Sequence, residues 1–152
     1  MIIVDRVRVS RGAYLVAAWG IVVAVVAQVS LIGLWMFSGQ PTLSLHKEFG
    51  HAITLAVGAL LVFAFTGRLP KRMKLTTALL FAIMLVQTEV FAFIPGSPTR
   101  AFHTVLPLVI FSLAVFLAYA ARRFVMEQPA GSALPRHVVE VSRTESLASK
   151  EP

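Results

Sequence analysis

The stretch LSLHKEFGHAITLAVGALLVFAFTGRLPKRMK, Leu43 to Lys74, decides the fold. It opens with two histidines, a lysine and a glutamate, continues as an unbroken apolar run from Phe49 to Thr66, and stops at Gly67, Pro70 and the cations Arg68, Lys71, Arg72 and Lys74. A helix needs about 20 residues to cross the hydrocarbon core of a bilayer, and a start near Ser44 gives this run its full length. Strict alternation is absent and the run is about twice the length of a membrane-barrel strand, so a helix is expected.

Outward from this stretch the chain repeats the pattern. Ala13–Phe37, Leu75–Ile94 and Ala101–Ala121 are also apolar and close to spanning length. The connectors are short. SGQPTLS (Ser38–Ser44) offers Gly, Pro and two hydroxyl residues that suit an N-cap. GRLPKRMK (Gly67–Lys74) offers a helix-ending glycine, and PGSPTR (Pro95–Arg100) reads as a tight turn. Such loops force neighbouring helices antiparallel, so the expected fold is an all-α integral membrane bundle, four helices running up-down-up-down. The boundaries read as a basic N-terminus over 1–12, a transmembrane domain over 13–123 with helices at about 13–37, 44–66, 74–94 and 100–121, and a tail over 124–152. That tail is rich in Pro, Ser, Ala and mixed charge and is expected to be disordered, with His137 a solvated residue in it.

Composition agrees. Only 14% of the 152 residues are charged and 57% are hydrophobic, where a soluble domain carries about a quarter charged. With no cysteine, disulfides, thiol catalysis, thiolate metal sites and iron–sulfur clusters are excluded. The net charge of +7 does not form a nucleic-acid patch, because the basic residues flank the ends of apolar runs. Arg6, Arg8, Arg11, Arg68, Lys71, Arg72, Lys74, Arg122 and Arg123 lie on one side against Lys47 and Arg100 on the other, nine to two, which places both termini in the cytoplasm. The first run has basic residues before it and VVA ahead of Gln28 as a cleavage-like site, yet it stays apolar to Phe37, too long for a signal peptide.

In this topology the polar residues gather in the outer leaflet. His46 and His51 lie near the start of helix 2, His103 near the start of helix 4, Gln87 and Glu89 near the outer end of helix 3, and Gln28 towards mid-depth of helix 1. At 1.5 Å per residue most of them fall within about 15 Å of the outer boundary. Polar groups in hydrocarbon usually face the bundle interior, so an outward-facing pocket is expected. His46 and His51 are about 140° apart around the helix and cannot face one point. His46 shares its face with Phe49, Gly50 and Ile53, and a glycine one turn below a histidine leaves room for a flat macrocycle; His51 shares its face with Lys47, Leu55 and Gly58. Pro107, four residues after His103, frees the His103 carbonyl and is expected to kink helix 4.

Two imidazoles from different helices at one depth suit haem b, with His46 and His103 as axial ligands. A zinc or copper site from His46, His103 and Glu89, with His51 as an alternative ligand, is the weaker metal reading, since no fixed motif sets its spacing. Glu89 reads either as a proton carrier or counter-charge to Lys47, His51 or Arg100, or as an interfacial residue. Gln28 and Gln87 read first as interhelical hydrogen-bonding groups. No Ser–His–Asp order, phosphate-binding Gly-rich loop or pair of catalytic carboxylates is present.

AQVSLIGLWMF in helix 1, LHKEFGHAITL opening helix 2, GRLPKR after it, MLVQTE in helix 3 and AFHTVLPL opening helix 4 together resemble an uncharacterised family of small four-helix bacterial membrane proteins, domain of unknown function 6220. The family pattern of a helix 1 Gln, an LH+xxG start to helix 2, a helix 3 Gln and a His opening helix 4 falls here on Gln28, His46, Gly50, Gln87 and His103. Where the family often has Tyr this chain has His51, and where Pro often follows the last His this chain has Thr104 and delays its proline to Pro107. The resemblance implies a multi-pass protein of the bacterial inner membrane. Its architecture is also similar, more distantly, to half of a haem A synthase and to b-type membrane cytochromes. Three function classes stand: a haem b protein for electron transfer or haem handling, a non-catalytic accessory membrane subunit, and a small proton-coupled transporter using Glu89 and His51. Besides the bilayer, the implied partners are another membrane protein or a second copy, for which Gly20, Ala24 and Ala27 offer a small-residue face.

Overall fold

A computed structural model describes residues 2–90 and 97–127, with side chains over 5–90 and 101–127. It is an all-α bundle of α1 (Ile2–Ser38), α2 (Leu43–Thr66), α3 (Lys71–Leu85, continued by one π-helical turn, Val86–Val90) and α4 (Ser97–Met126). The expected end of helix 3 over 91–94, the start of the PGSPTR turn and the tail beyond 127, with His137, lie outside the described residues.

All four helices are long and apolar enough to cross a membrane. Only 22% to 33% of each apolar window is buried inside the bundle, so most of the apolar surface faces outward. Val16, Leu55, Leu108 and Phe37 are each more than two-thirds exposed. On a water-soluble protein such patches would be a liability; here they are the lipid-facing surface of a multi-pass membrane protein. Six hydroxyls on these helices are satisfied in the same way: Ser30, Thr54, Thr66, Thr77, Thr88 and Ser112 each hydrogen-bond to the carbonyl four residues back.

α1 starts eleven residues before the apolar run expected for it. Nothing between Ile2 and Gly12 breaks a helix, and Asp5 in the first turn complements the helix dipole. At 1.5 Å per residue, 37 residues make a rod of about 55 Å, well beyond a core of about 30 Å.

The two described connectors each differ in detail from the sequence reading. Gly39 takes the left-handed conformation after α1 (φ 64°), and the Gln40 N–H reaches back to the Leu34 carbonyl (3.4 Å). Thr42 occupies the N-cap position of α2 without capping it; its hydroxyl donates to the Leu31 carbonyl (2.7 Å) and so ties the loop to α1. After α2 the left-handed residue is Arg68 (φ 52°), not the expected Gly67, which stays right-handed. Gly67 answers a steric demand instead: a Cβ there would sit 2.7 Å from Leu69 Cδ1 and 2.8 Å from the Phe63 carbonyl. Its carbonyl accepts from Arg11 Nε (2.9 Å), a cation at the negative end of α2.

The short loops give the up-down-up-down order. α1 and α3 each pack on both α2 and α4, so α1–α3 and α2–α4 are the diagonals. The core near the termini is Tyr14, Ala18, Leu60, Leu80, Leu117 and their neighbours, closed across the α1–α3 diagonal by a buried hydrogen bond between Tyr14 Oη and Thr77 Oγ1 (2.7 Å). This termini-bearing end also holds Arg11 over the Phe124 ring (5.0 Å) and Lys74 over Phe65 (5.2 Å). We call it the basic end, and the opposite one the distal end.

Candidate functional site

The α2–α4 diagonal is closed at the distal end by His46 and His103. Their ring centroids are 6.4 Å apart at 70°, and both residues are half-buried. Each ring is held from a neighbouring helix by a glutamine. Gln28 of α1 donates from Nε2 to the His46 carbonyl (2.6 Å), and His46 Nδ1 bonds back to the Gln28 carbonyl (3.1 Å). A carbonyl only accepts, so Nδ1 carries a proton, and the tautomer this bond selects has its lone pair on Nε2. Gln87 of α3 likewise donates from Nε2 to the His103 carbonyl (2.9 Å), and the His103 ring bonds back to the Gln87 backbone.

Both histidine carbonyls are open to a side-chain donor, for different local reasons. In α4 the residue four places on is Pro107, whose missing N–H leaves the His103 carbonyl without its helical donor. α4 runs through Pro107 without a break in its helical assignment, so what the proline demonstrably does is free this acceptor. In α2 the residue four places on is Gly50, and a Cβ there would lie 3.1 Å from Gln28 Nε2. The space at Gly50, read from the sequence as room for a macrocycle, is filled by the Gln28 amide. In α3 the π-turn Val86–Val90 shifts the helical phase where Gln87 turns inward; Gln87 is 8% exposed. Single π-turns of this kind are common at functional positions.

The two glutamines share one more feature. Gln28 Oε1 and Gln87 Oε1 are buried and accept no hydrogen bond from the described residues. Such an oxygen costs about 1–3 kcal/mol unless water or a ligand satisfies it.

The other sequence candidates lie apart from this pair. His51 turns away from His46 to Glu89, with Nε2 3.5 Å from the carboxylate and Nδ1 on the Lys47 carbonyl (2.9 Å). Both side chains of that pair are about half exposed, 51% and 47%. Lys47 and Glu48 are exposed, and the Arg100 side chain lies outside the described residues. Among the described residues no three of His, Cys, Asp and Glu are placed to share a metal ion, so the His46–His103–Glu89 set is not assembled. Of the small-residue face on α1, Gly20 and Ala27 are exposed and Ala24 packs against the core. Val25, Val26, Val29 and Ser30 of α1 with Pro107, Leu108 and Phe111 of α4 line a mostly apolar groove of about 270 Å³.

Sequence reading named both glutamines and both histidines without seeing that each glutamine clasps the histidine of the next helix. The signal was available in their order, with a Gln 18 residues before one His and 16 before the other.

No curated protein and no solved structure matches the chain, and the likeness to half of a haem A synthase is not shown. The match ends at residue 94, short of His103 and α4. Over residues 28–94, the segment that carries Gln28, His46, Gly50 and Gln87, the chain matches the model of a family of unknown function, DUF6220.

Proposed function

We propose that this is a multi-pass protein of the bacterial inner membrane, with both termini cytoplasmic and the distal end outward, whose His46 and His103 hold haem b between them for electron transfer or haem handling. The carrying observation is the 6.4 Å between the two ring centroids. Two imidazoles bound on opposite sides of one metal at about 2.0–2.1 Å each have centroids about 6 Å apart. The reading gains support from the His46 tautomer, which leaves Nε2 with the lone pair that a metal requires, while the Nδ1 bond to the Gln28 carbonyl fixes the ring. The mostly apolar groove between α1 and α4, which reaches Pro107 one turn after His103, adds a surface suited to a macrocycle edge. A bound haem supplies one-electron chemistry; the chain's own residues orient two ligands and exclude water around them. The nine-to-two distribution of Lys and Arg supports the orientation.

One observation favours a second reading. The reciprocal Gln–His hydrogen bonds join α1 to α2 and α3 to α4 whether or not anything is bound, as an accessory subunit with no cofactor would need.

The deciding experiment is a reduced-minus-oxidised absorption spectrum of the detergent-purified protein, expressed with adequate haem. Sharp low-spin α and β bands, absent from both His46→Ala and His103→Ala, are the expected result. A preparation that stays colourless through haem titration removes the haem reading and leaves the accessory one.

A further inference from the structure

The two histidines are preceded by the same spacing of the same residues. GQPTLSLH (Gly39–His46) and GSPTRAFH (Gly96–His103) both read G-x-P-T-x-x-apolar-H. Each follows a glutamine in the preceding helix, Gln28 and Gln87, and each is followed four residues later by a residue that opens the histidine carbonyl, Gly50 and Pro107.

The packing repeats in the same phase. Counted back from the glutamines, buried residues fall at the same offsets in α1 and α3: Val25 with Met84, Ile21 with Leu80, Ala18 with Thr77, Tyr14 with Met73. Counted forward from the histidines they coincide again: Ile53 with Ile110, Val57 with Ala114, Leu60 with Leu117, Ala64 with Ala121. Any two amphipathic helices share a three-to-four spacing. Here the phase relative to Gln and His coincides as well, and three of the last four pairs are identical residues.

The chemistry repeats too. In each half a glutamine amide donates to the histidine carbonyl, the ring bonds back to the glutamine backbone, and the glutamine Oε1 is left buried without a donor among the described residues.

We infer that the bundle is two copies of one helical hairpin, α1–α2 and α3–α4, related by a twofold axis along the membrane normal, and that the His46–His103 pair with Gln28 and Gln87 is a single site on that axis, contributed equally by the two copies. Parallel repeats about such an axis are a known way of building membrane proteins. A group between the rings then meets the same surroundings on both sides. His46 Nε2 and the two amide oxygens are acceptors, so the occupant is a metal centre or a hydrogen-bond donor and not an anion. The two histidines are equivalent positions rather than one ligand and one bystander, and the two glutamines are positioning residues that set ring orientation. This symmetry rests on the hairpins and holds whichever group is bound.

The test uses the full chain in detergent with ¹⁵N-labelled imidazoles and no added haem. His46 and His103 are expected to share one tautomer signature, with the proton on Nδ1, distinct from the more exposed His51. Gln28→Met should move the His46 resonances and spare His103, and Gln87→Met the reverse. In a second arm, haem b is added and the ferric EPR spectrum recorded; both variants should shift the largest g value in the same direction. Should one ring show a mixed, water-exchanging tautomer and ignore its glutamine, the inferred symmetry is overturned, and this is visible in the wild-type spectrum even where a variant fails to fold. A chain that takes no haem but shows matched rings keeps the symmetric site and loses only the haem reading. An exchange of Gly39–His46 with Gly96–His103 within the full chain gives a further check: the matched signature should survive it, and its loss in a folded protein would count against equivalence.

Discussion

The two diagonals of the bundle are each closed by a polar pair, and they are closed differently. At the basic end, Tyr14 and Thr77 meet directly at 2.7 Å, both fully buried, and Thr77 also donates to the Met73 carbonyl. That contact is complete in itself and has no room for anything between its members. At the distal end, His46 and His103 stand with centroids 6.4 Å apart, clamped from behind by two glutamines whose amide oxygens remain unpaired among the described residues. The comparison teaches what separates polar residues that hold a membrane bundle together from polar residues held for use. The first satisfy one another; the second are each held from outside by a neighbouring helix.

The largest effect that would break the comparison concerns the distal pair. Replacing either His46 or His103 by Ala should eliminate the haem spectrum while leaving a folded bundle, checked by absorption together with circular dichroism. Retention of a low-spin spectrum in either variant would reduce the pair to structural contacts.

Next comes the glutamine clamp. Gln87→Leu removes the side-chain donor from the His103 carbonyl, whose helical donor is already missing at Pro107, and should cost about 1–3 kcal/mol. Gln28→Leu should cost less, because the His46 carbonyl still has the Gly50 N–H in reach. Thermal unfolding in detergent should therefore rank Gln87→Leu below Gln28→Leu. The opposite ranking would mean that the proline does not create the demand that the glutamine meets.

A smaller change is expected at the basic diagonal. Tyr14→Phe deletes one buried neutral hydrogen bond and should cost about 0.5–1.5 kcal/mol, with no change in any spectrum of the distal site. A spectral change would show that the two diagonals are coupled.

Smallest of all is the His51–Glu89 pair, half-exposed at the α2–α3 surface. Glu89→Gln should alter stability by less than about 1 kcal/mol, since solvent screens such pairs. If pH-dependent transport is found and this variant abolishes it, the proton-coupled reading replaces the haem one.

Much of this architecture can be read directly from residue order. Four apolar runs of spanning length, separated by Pro- and Gly-bearing connectors too short to cross the bundle, permit hardly any other arrangement. The candidate site was partly legible for the same reason, since intramembrane Gln, His and Glu are conspicuous against Val and Leu. Finer features were not. Gly67 looks like the glycine that ends α2, yet Arg68 takes the left-handed turn because Gly67 is needed where Leu69 and Phe63 crowd the backbone. Thr42 looks like an N-cap, yet the nearby Leu31 carbonyl takes its hydroxyl.

By itself, then, the sequence determined that the chain is a four-helix membrane bundle and that its glutamines and histidines within the helices fall towards one end, because spanning length and the cost of burying polarity in hydrocarbon act on each segment alone. Only the tertiary structure decided that His46 faces His103 while His51 faces Glu89, and that each glutamine belongs to the histidine of the next helix. Those pairings depend on how each helix is rotated about its axis. Each residue turns an α-helix by about 100°, a single π-turn shifts that phase, and which partner a side chain meets is settled when four helices pack together.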